Sequence, residues 1–418
     1  MPRKTENVGP SPPTVGVVGL GYMGLASAAA FARHGVSVTG YDVLPERRAT
    51  VRSGSSPFHE EGLGELVRSE IQSGRLRVAD TLAELVDQST IIFLCLPTPP
   101  LPTGRIDLRP IRAGAEELGR ALARVDGFRL VVIKSTVVPG TAQTVIAPVV
   151  AKASGKGPAQ VAVASNPEFL AEGRMVADAL RPDRIVVGVS DPRSEQLLRS
   201  LYAAFDAPLI VVTPAGAEMT KYAANSFLAL KISFANEVSR FSERVGVDID
   251  DVVRGFGSDP RIGEQFLKAG PGFGGSCFSK DVRAFVRAAK DHGVRLRLSE
   301  QVVAANDEQT RHAAELIRGE LPRGRGAKVA FLGLAFKEGT DDLRESRALP
   351  IVREIAGEGV AVRAHDPVAL PKFRDWLSKE PAGLRARVST WATTAEALTG
   401  ADAAVLQAPW PEYLAWPK

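Results

Sequence analysis

The sequence predicts an α/β protein built of two Rossmann-like, doubly wound parallel-sheet domains, joined by a long central helix and a helical middle domain. Three observations carry this. Short β-branched runs alternate with longer helical patterns from Thr14 onward, a glycine-rich turn follows the first run, and the same order of runs returns late in the chain. Alternation of this kind is the pattern of a parallel sheet covered by helices on both faces.

In chain order, "MPRKTENVGPSPP" has basic residues and prolines without an apolar core, so residues 1–13 are expected to be a disordered leader. The runs "TVGVVGL", "VSVTGYD", "TIIFLCLP", "RLVVIKST", "VAVASNP" and "DRIVVGV" predict the strands of a first domain over 14–205. From Gly216 to Val245 the chain is free of proline, with apolar residues at helical spacing, which predicts a connecting helix of about eight turns. That helix opens a helical middle domain over 206–318. "LPRGRGAK" then reads as a linker. "KVAFLGLAF", "GVAVRAHDP" and "GADAAVLQAP" resume the strand pattern in a last domain, 319–418, which echoes the first: "TVGVVGLGY" before "VSVTGYD" is matched by "KVAFLGLAF" before "VAVRAHDP".

Composition narrows the function. At 418 residues with 44% apolar content, two or three domains can each bury a core. Lys plus Arg number 52 against 48 Asp plus Glu, a surplus of four spread along the chain, so no nucleic-acid surface is implied. No stretch reaches the roughly eighteen apolar residues of a membrane span. A cytoplasmic protein without a membrane partner is expected. Two cysteines, Cys95 in a strand-like run and Cys277 in a glycine-rich loop, suit a reducing compartment better than a disulfide framework. No metal is expected.

Gly19, Gly21 and Gly24 in "GVVGLGYMG" form G-x-G-x-x-G directly after a strand and at the start of a helix, with Tyr22 and Met23 between them. The first glycine permits the tight turn, the second lets the backbone approach a pyrophosphate, and the third allows close packing of helix on strand. Asp42, eighteen residues after Gly24, can accept hydrogen bonds from ribose hydroxyls and repel a 2′-phosphate. That favours NAD over NADP, while Arg47 and Arg48 nearby argue the other way. Thr98 in "LPTPP" and Thr136 in "KSTVVPGT" end later strands where the cofactor's floor is expected.

Glu168 and Glu172 in "SNPEFLAEG" stand four residues apart, on one face if a helix starts at Asn166-Pro167. Lys221 and Asn225 in "KYAAN" repeat that spacing on an otherwise apolar helix. Two readings stand: a lysine whose stem covers the helix while its head reaches water, or a pair of donors aimed at a developing oxyanion. Cys277, Lys280 and Asp281 fall within five residues of "GPGFGGSCFSKD". A nearby cation stabilises a thiolate, and beside a nicotinamide cofactor a nucleophilic cysteine suggests oxidation beyond an aldehyde through a thiohemiacetal and a thioester, with Asp281 as base.

Taken in order, "GVVGLGYMG", "PTPP", "KSTVVPGT", "SNPEFLAEG", "KYAANSFLALKISFANE", "DPRIG", "FLKAGPGFGGSCFSKD" and "GLAFKEGTDDLRES" resemble the nucleotide-sugar dehydrogenase family, and within it the enzymes acting on UDP-glucose, from about residue 14 to about 412. The resemblance implies an NAD-dependent, four-electron oxidation of UDP-glucose to UDP-glucuronate, with two NADH formed. It implies Cys277 as nucleophile, Lys221 and Asn225 as oxyanion stabilisers, Asp281 with Thr136 to orient or activate water, and Glu168 in thioester hydrolysis. Glu172 would lie between sugar and nicotinamide, and Phe169 and Leu170 would bind the substrate. Phe266, Lys268, the loop with Gly272, Phe273, Gly274 and Gly275, and Phe336 with Lys337 would hold the substrate. Arg344 would touch the cofactor. Arg261 would reach a neighbouring subunit's site in a homodimer made through the long helix.

The sequence also departs from the family pattern. Ser279 replaces the usual proline of the cysteine loop, "EEGL" at Glu60 to Leu63 lacks its proline, and "LQAPWPEY" replaces "TEW". The last domain is expected to lack its final strand, which carries a D-x-R arginine near the substrate. Alternatives within the family are GDP-mannose and UDP-N-acetylhexosamine dehydrogenases, the latter usually carrying a histidine after the glycines. The β-hydroxyacid dehydrogenases share "GLGxMG" but need no cysteine and are shorter. A nucleotide-sugar-binding relative without turnover is the reading outside enzymes.

Overall fold

The computed structural model describes residues 13–322 and 326–415. All but the last residue of the expected leader, and the middle of the expected linker, lie outside the described residues.

Eight strands form the first sheet: β1 (Val15–Val18), β2 (Val38–Tyr41), β3 (Leu76–Val78), β4 (Ile91–Leu94), β5 (Arg129–Ile133), β6 (Val161–Ser165), β7 (Ile185–Gly188) and β8 (Leu209–Val212). Their order is β3-β2-β1-β4-β5-β6-β7-β8. Every residue of β1 and β4 is buried, as expected for strands covered on both faces. Strand order reverses between β1 and β4, the switch point where such sheets bind ligands. One difference from the all-parallel expectation appears at β6, where Ser165 pairs antiparallel with Gly188 of β7. Strands β3 and β8 were not expected. A three-residue strand such as β3 shows no period.

β9 (Lys328–Leu332), β10 (Ala361–His365), β11 (Val388–Thr390) and β12 (Ala403–Leu406) form a second, parallel sheet ordered β11-β10-β9-β12. The echo seen in the sequence is a repeated device. Gly19 (φ +96°) and Gly333 (φ +87°) each turn the chain after the first strand of their sheet. Their amides donate to Tyr41 O at 2.8 Å and His365 O at 2.9 Å. The next amide, of Leu20 or Leu334, donates to a carboxylate ending the second strand, Asp42 at 2.8 Å or Asp366 at 2.7 Å.

The long helix is Pro214–Val245, two residues longer than expected. Pro214 suits a first helical position, and Thr213 Oγ1 accepts from Gly216 N–H at 3.2 Å. Helices Ile249–Gly257, Phe278–Asp291 and Arg297–Glu320 follow. The chain divides into two compact units, 1–101 with 106–221, and 102–105 with 222–418. The first is centred on Phe31, Phe93, Tyr202 and Phe205. In the second, Phe331, Ile351 and Phe373 fill the space against the β9–β12 sheet, and Ala229, Phe273, Val282 and Val302 form a smaller cluster. No described helix is long and apolar enough to cross a membrane.

Candidate active site

In the first unit, β1 leads through the glycine turn into the helix Tyr22–Arg33. A Cβ at Gly24 would lie 1.8 Å from Gly19 O, so only glycine lets helix and turn meet. A Cβ at Gly21 would meet nothing within 4 Å and would stand in the open cradle. Gly21 caps the helix with no side-chain acceptor, which leaves its first amides to an anion. This geometry fits a dinucleotide pyrophosphate.

Asp42 is buried, and its carboxylate already accepts from Leu20 N–H, from Leu44 N–H at 3.0 Å and from Arg47 at 3.0 Å. It therefore shapes the turn as well as standing where a ribose is expected. Tyr22 stacks on Phe58 at 4.1 Å, with the Arg47 guanidinium over the same ring, and Met23 is half-buried beside it.

Beyond the carboxyl ends of the strands, buried polar groups tie the turns together. Thr98 Oγ1 donates to Thr136 O at 2.8 Å, and Ser135 Oγ to Leu96 O at 2.6 Å. Lys134 Nζ donates to Asn166 Oδ1 at 3.0 Å, and Asn166 Nδ2 to Val186 O at 2.8 Å. Burial holds the Lys134 ammonium below its ordinary pKa, partly offset by the Glu168 carboxylate. The Cys95 thiol is pushed up to about 12 by burial, which leaves it protonated and inert.

Glu168 lies 2.9 Å from Lys221 Nζ, with side chains 8% and 4% exposed. Burial pushes the Glu168 carboxyl up, but Lys221, the Leu170 amide at 2.7 Å and Lys134 together hold it below the usual carboxylate range. Phe169 sits between cations, with Arg184 at 3.9 Å and Lys221 at 5.4 Å from its ring. The helix expected from Asn166 does not form. Residues 166–171 are irregular because their amides find carboxylates instead: Leu170 bonds Glu168, and Ala171 bonds Asp178 at 2.9 Å. Glu172 is therefore set by a turn, not by a shared helix face. Glu60 grips that turn through Gly173 and Met175 N–H, both at 2.8 Å.

In the second unit, Cys277 is exposed and caps the helix Phe278–Asp291. Asp281, 1% exposed, accepts from Asn225 Nδ2 at 2.6 Å and from Lys280 Nζ at 2.5 Å. The sequence pairs Lys221 with Asn225; the fold gives Lys221 to Glu168 and Asn225 to Asp281. Lys280 directs its ammonium at the aspartate. Phe266 holds a left-handed φ of 64°, strained for an aromatic residue, and Lys268 is exposed near it. Phe336 and Lys337 are half-buried, with the Phe336 ring against Gly275. Arg344 forks onto Asp342, and Arg261, largely exposed, onto Asp259. Among the described residues, no cluster of three or more His, Cys, Asp or Glu could hold a metal.

Sequence reasoning passed over Glu218. Buried on the long helix, it accepts from Gly140 N–H at 2.6 Å, Ala142 N–H at 2.9 Å and Ser165 Oγ at 2.9 Å, fastening the turns after β5 and β6. Burial pushes its carboxyl up, against the pull of those donors. Its signal was present: a charged residue three positions before Lys221 on an apolar helix.

A dinucleotide fold with an uncapped glycine turn, in a chain that also exposes a cysteine four residues from a held carboxylate, defines an NAD-dependent oxidoreductase. Profiles of the UDP-glucose/GDP-mannose dehydrogenase family match nearly the whole chain: its NAD binding domain over 13–206, its central domain over 215–308 and its UDP binding domain over 330–418. The chain belongs to that family. It is 42% identical over 404 residues to a UDP-glucose 6-dehydrogenase of Pseudomonas aeruginosa, covering 95% of this chain and 88% of that one. A Haloferax volcanii UDP-glucose 6-dehydrogenase, AglM, is 40% identical over 405 residues, or 96% and 92% of the two chains. The solved UDP-glucose dehydrogenase of the archaeon Pyrobaculum islandicum superposes with a TM-score of 0.92 at 40% identity, covering 98% and 93%.

Proposed function

We propose that this protein oxidises UDP-glucose to UDP-glucuronate with two NAD per sugar. The observation that carries the reading is the exposed Cys277 at a helix start, four residues from an Asp281 fixed by Asn225 and Lys280, in a chain that also holds the dinucleotide turn. Relatives named for this activity, similar over nearly the full length, support the choice of sugar.

When bound, NAD takes up one hydride in each of the two oxidations. The primary alcohol loses its hydroxyl proton and a C6 hydride to give the aldehyde. The Cys277 thiolate adds to that carbon, and Lys221 and Asn225 stabilise the oxyanion of the tetrahedral thiohemiacetal. Loss of a second hydride reforms the carbonyl as a thioester. Water, activated by Asp281 with Thr136 or by Glu168, displaces the thiolate and leaves the carboxylate. The sum is one alcohol, two NAD⁺ and one water giving one carboxylate, two NADH and three protons.

The same reading takes the protein to be a cytoplasmic homodimer. Phe227, Phe234 and Phe241 recur every seventh residue on the long helix and are 61%, 51% and 68% exposed, a seam that a second copy can cover.

The test is NADH yield across UDP-glucose, GDP-mannose, UDP-N-acetylmannosamine and small hydroxyacids. Two NADH per UDP-glucose is expected, with no completed turnover in Cys277→Ser. One NADH per sugar, or full turnover without the thiol, overturns the mechanism. A flat panel favours a binding-only protein.

A further inference from the structure

The chain on both sides of Cys277 is held by a buried arginine that the reaction outlined above does not use, through a backbone carbonyl before it and a serine hydroxyl after it. Arg347, 7% exposed, precedes the helix Ala348–Gly357. Its Nε donates to Phe273 O at 2.7 Å, four residues before the cysteine. One terminal nitrogen reaches Ser279 Oγ at 3.5 Å, two residues after it, and the other pairs with Asp307 at 3.1 Å.

The rest of the loop is fixed with equal care. Asn306 closes a pair of hydrogen bonds on Phe273, its Oδ1 accepting from the amide at 2.7 Å and its Nδ2 donating to the carbonyl at 3.0 Å. Gln309 and Thr310 donate to the carbonyls of Gly270 and Pro271. Gly272 (φ +108°) and Gly274 have no room for a side chain, since a Cβ would lie 2.7 Å from Asn306 Oδ1 and 2.6 Å from Glu345 O respectively. Glu345, two residues before Arg347, itself holds a left-handed φ of 56°. A non-glycine residue keeps that conformation only when its surroundings impose it.

Burying a guanidinium is costly unless its donors are used, and these donors go to the loop, to the first turn of the cysteine's helix and to Asp307. Ser279 is pertinent here. Proline would offer no hydroxyl at this position, whereas the buried serine accepts from Arg347.

We propose that Arg347 is a positioning residue: by gripping Phe273 O and Ser279 Oγ at once, it sets where Cys277 stands relative to the sugar carbon, and links that placement to the Phe336–Ser346 segment that immediately precedes it. The proposal rests on the dehydrogenase reading for its catalytic effect, but its structural effect can be read without substrate.

The experiment compares full-length wild type, Arg347→Met and Arg347→Lys. Lysine keeps the charge without the fork. The readouts are hydrogen exchange of the peptide covering 270–281, alkylation rate of Cys277 by iodoacetamide, and kcat and KM with UDP-glucose and NAD. Expected are faster exchange confined to that peptide, an altered alkylation rate, and a kcat lower by about 100-fold, the effect of an ångström of misplacement, with KM for NAD within about twofold. Arg347→Lys should be partly impaired in the same direction. Unchanged exchange and alkylation in a folded variant overturn the proposal, as does a kcat within about threefold of wild type. Faster exchange spread evenly over the unit also overturns it, since that reports general destabilisation. If neither variant folds, Arg347 is a folding determinant and the positioning role fails. Wild type inactive on every sugar would sink the functional reading alone, because exchange and alkylation still decide this one.

Discussion

Replacing Lys221 with methionine strips the nearest cation from the buried Glu168 carboxylate, leaving it the Leu170 amide and the more distant Lys134. The ammonium lies 2.9 Å from Glu168, and the two side chains are 4% and 8% exposed, so solvent does little to screen the pair. Removing one partner of such a buried pair costs about 3–5 kcal/mol, chiefly from the uncompensated charge left behind. That is a large part of the ~5–15 kcal/mol that holds a typical domain folded. The pH dependence fixes the cause. In the wild type Glu168 lies below its unfolded value, so its contribution is present above the unfolded pKa of about 4.3 and is lost as pH falls through the folded one. In Lys221→Met burial prevails and the folded value rises, so stability is gained as pH falls. The penalty should therefore be largest near pH 8 and shrink toward pH 4. Urea unfolding across that range measures it, with Glu168→Gln and the double variant completing a cycle. The double variant should be less destabilised than Lys221→Met alone. A penalty below about 1 kcal/mol, one that does not change with pH, or strict additivity in the cycle would refute the reasoning.

Gly24→Ala places a methyl 1.8 Å from Gly19 O, so the turn must open. NAD affinity measured by calorimetry should drop at least about tenfold, and near-normal binding would contradict the tight-turn account. Glu218→Gln leaves three donors facing a single acceptor oxygen and should cost about 1–3 kcal/mol near neutral pH. Because burial raises the folded Glu218 pKa, its protonated form is favoured and wild-type stability from this group declines as pH rises through that value; the thermal-shift difference between wild type and variant should change over the same range. Phe234→Glu puts a charge in the exposed phenylalanine seam and should convert the dimer proposed for the wild type to a monomer by light scattering. A wild type that is already monomeric would remove the interface.

Much of this chain could be read without coordinates, and the reason is locality. Glycine positions follow from backbone geometry within a few residues, so the dinucleotide turn at Gly19 to Gly24 and the cysteine loop stood out by spacing alone. Strand and helix periods are local too, which made both sheets and the long helix legible and let the second sheet be recognised as an echo of the first. The short strand β3 carried no period, and β7 gave no sign of its direction, because pairing is settled by the connection that precedes it.

Charge partnership was decided by the tertiary structure. Lys221 and Asn225 are one turn apart on a single helix, yet each answers to a carboxylate distant in sequence, Glu168 or Asp281. The same holds for Glu60 beneath the Glu172 turn, Glu218 beneath the strand ends, and Arg347 beneath the cysteine loop. Burial makes an unpartnered polar group expensive, so the fold must supply a partner, and which one it supplies depends on distant segments brought together. The sequence by itself determined which chemical groups are present and on which elements they ride. Only packing decided which of them hold one another in place.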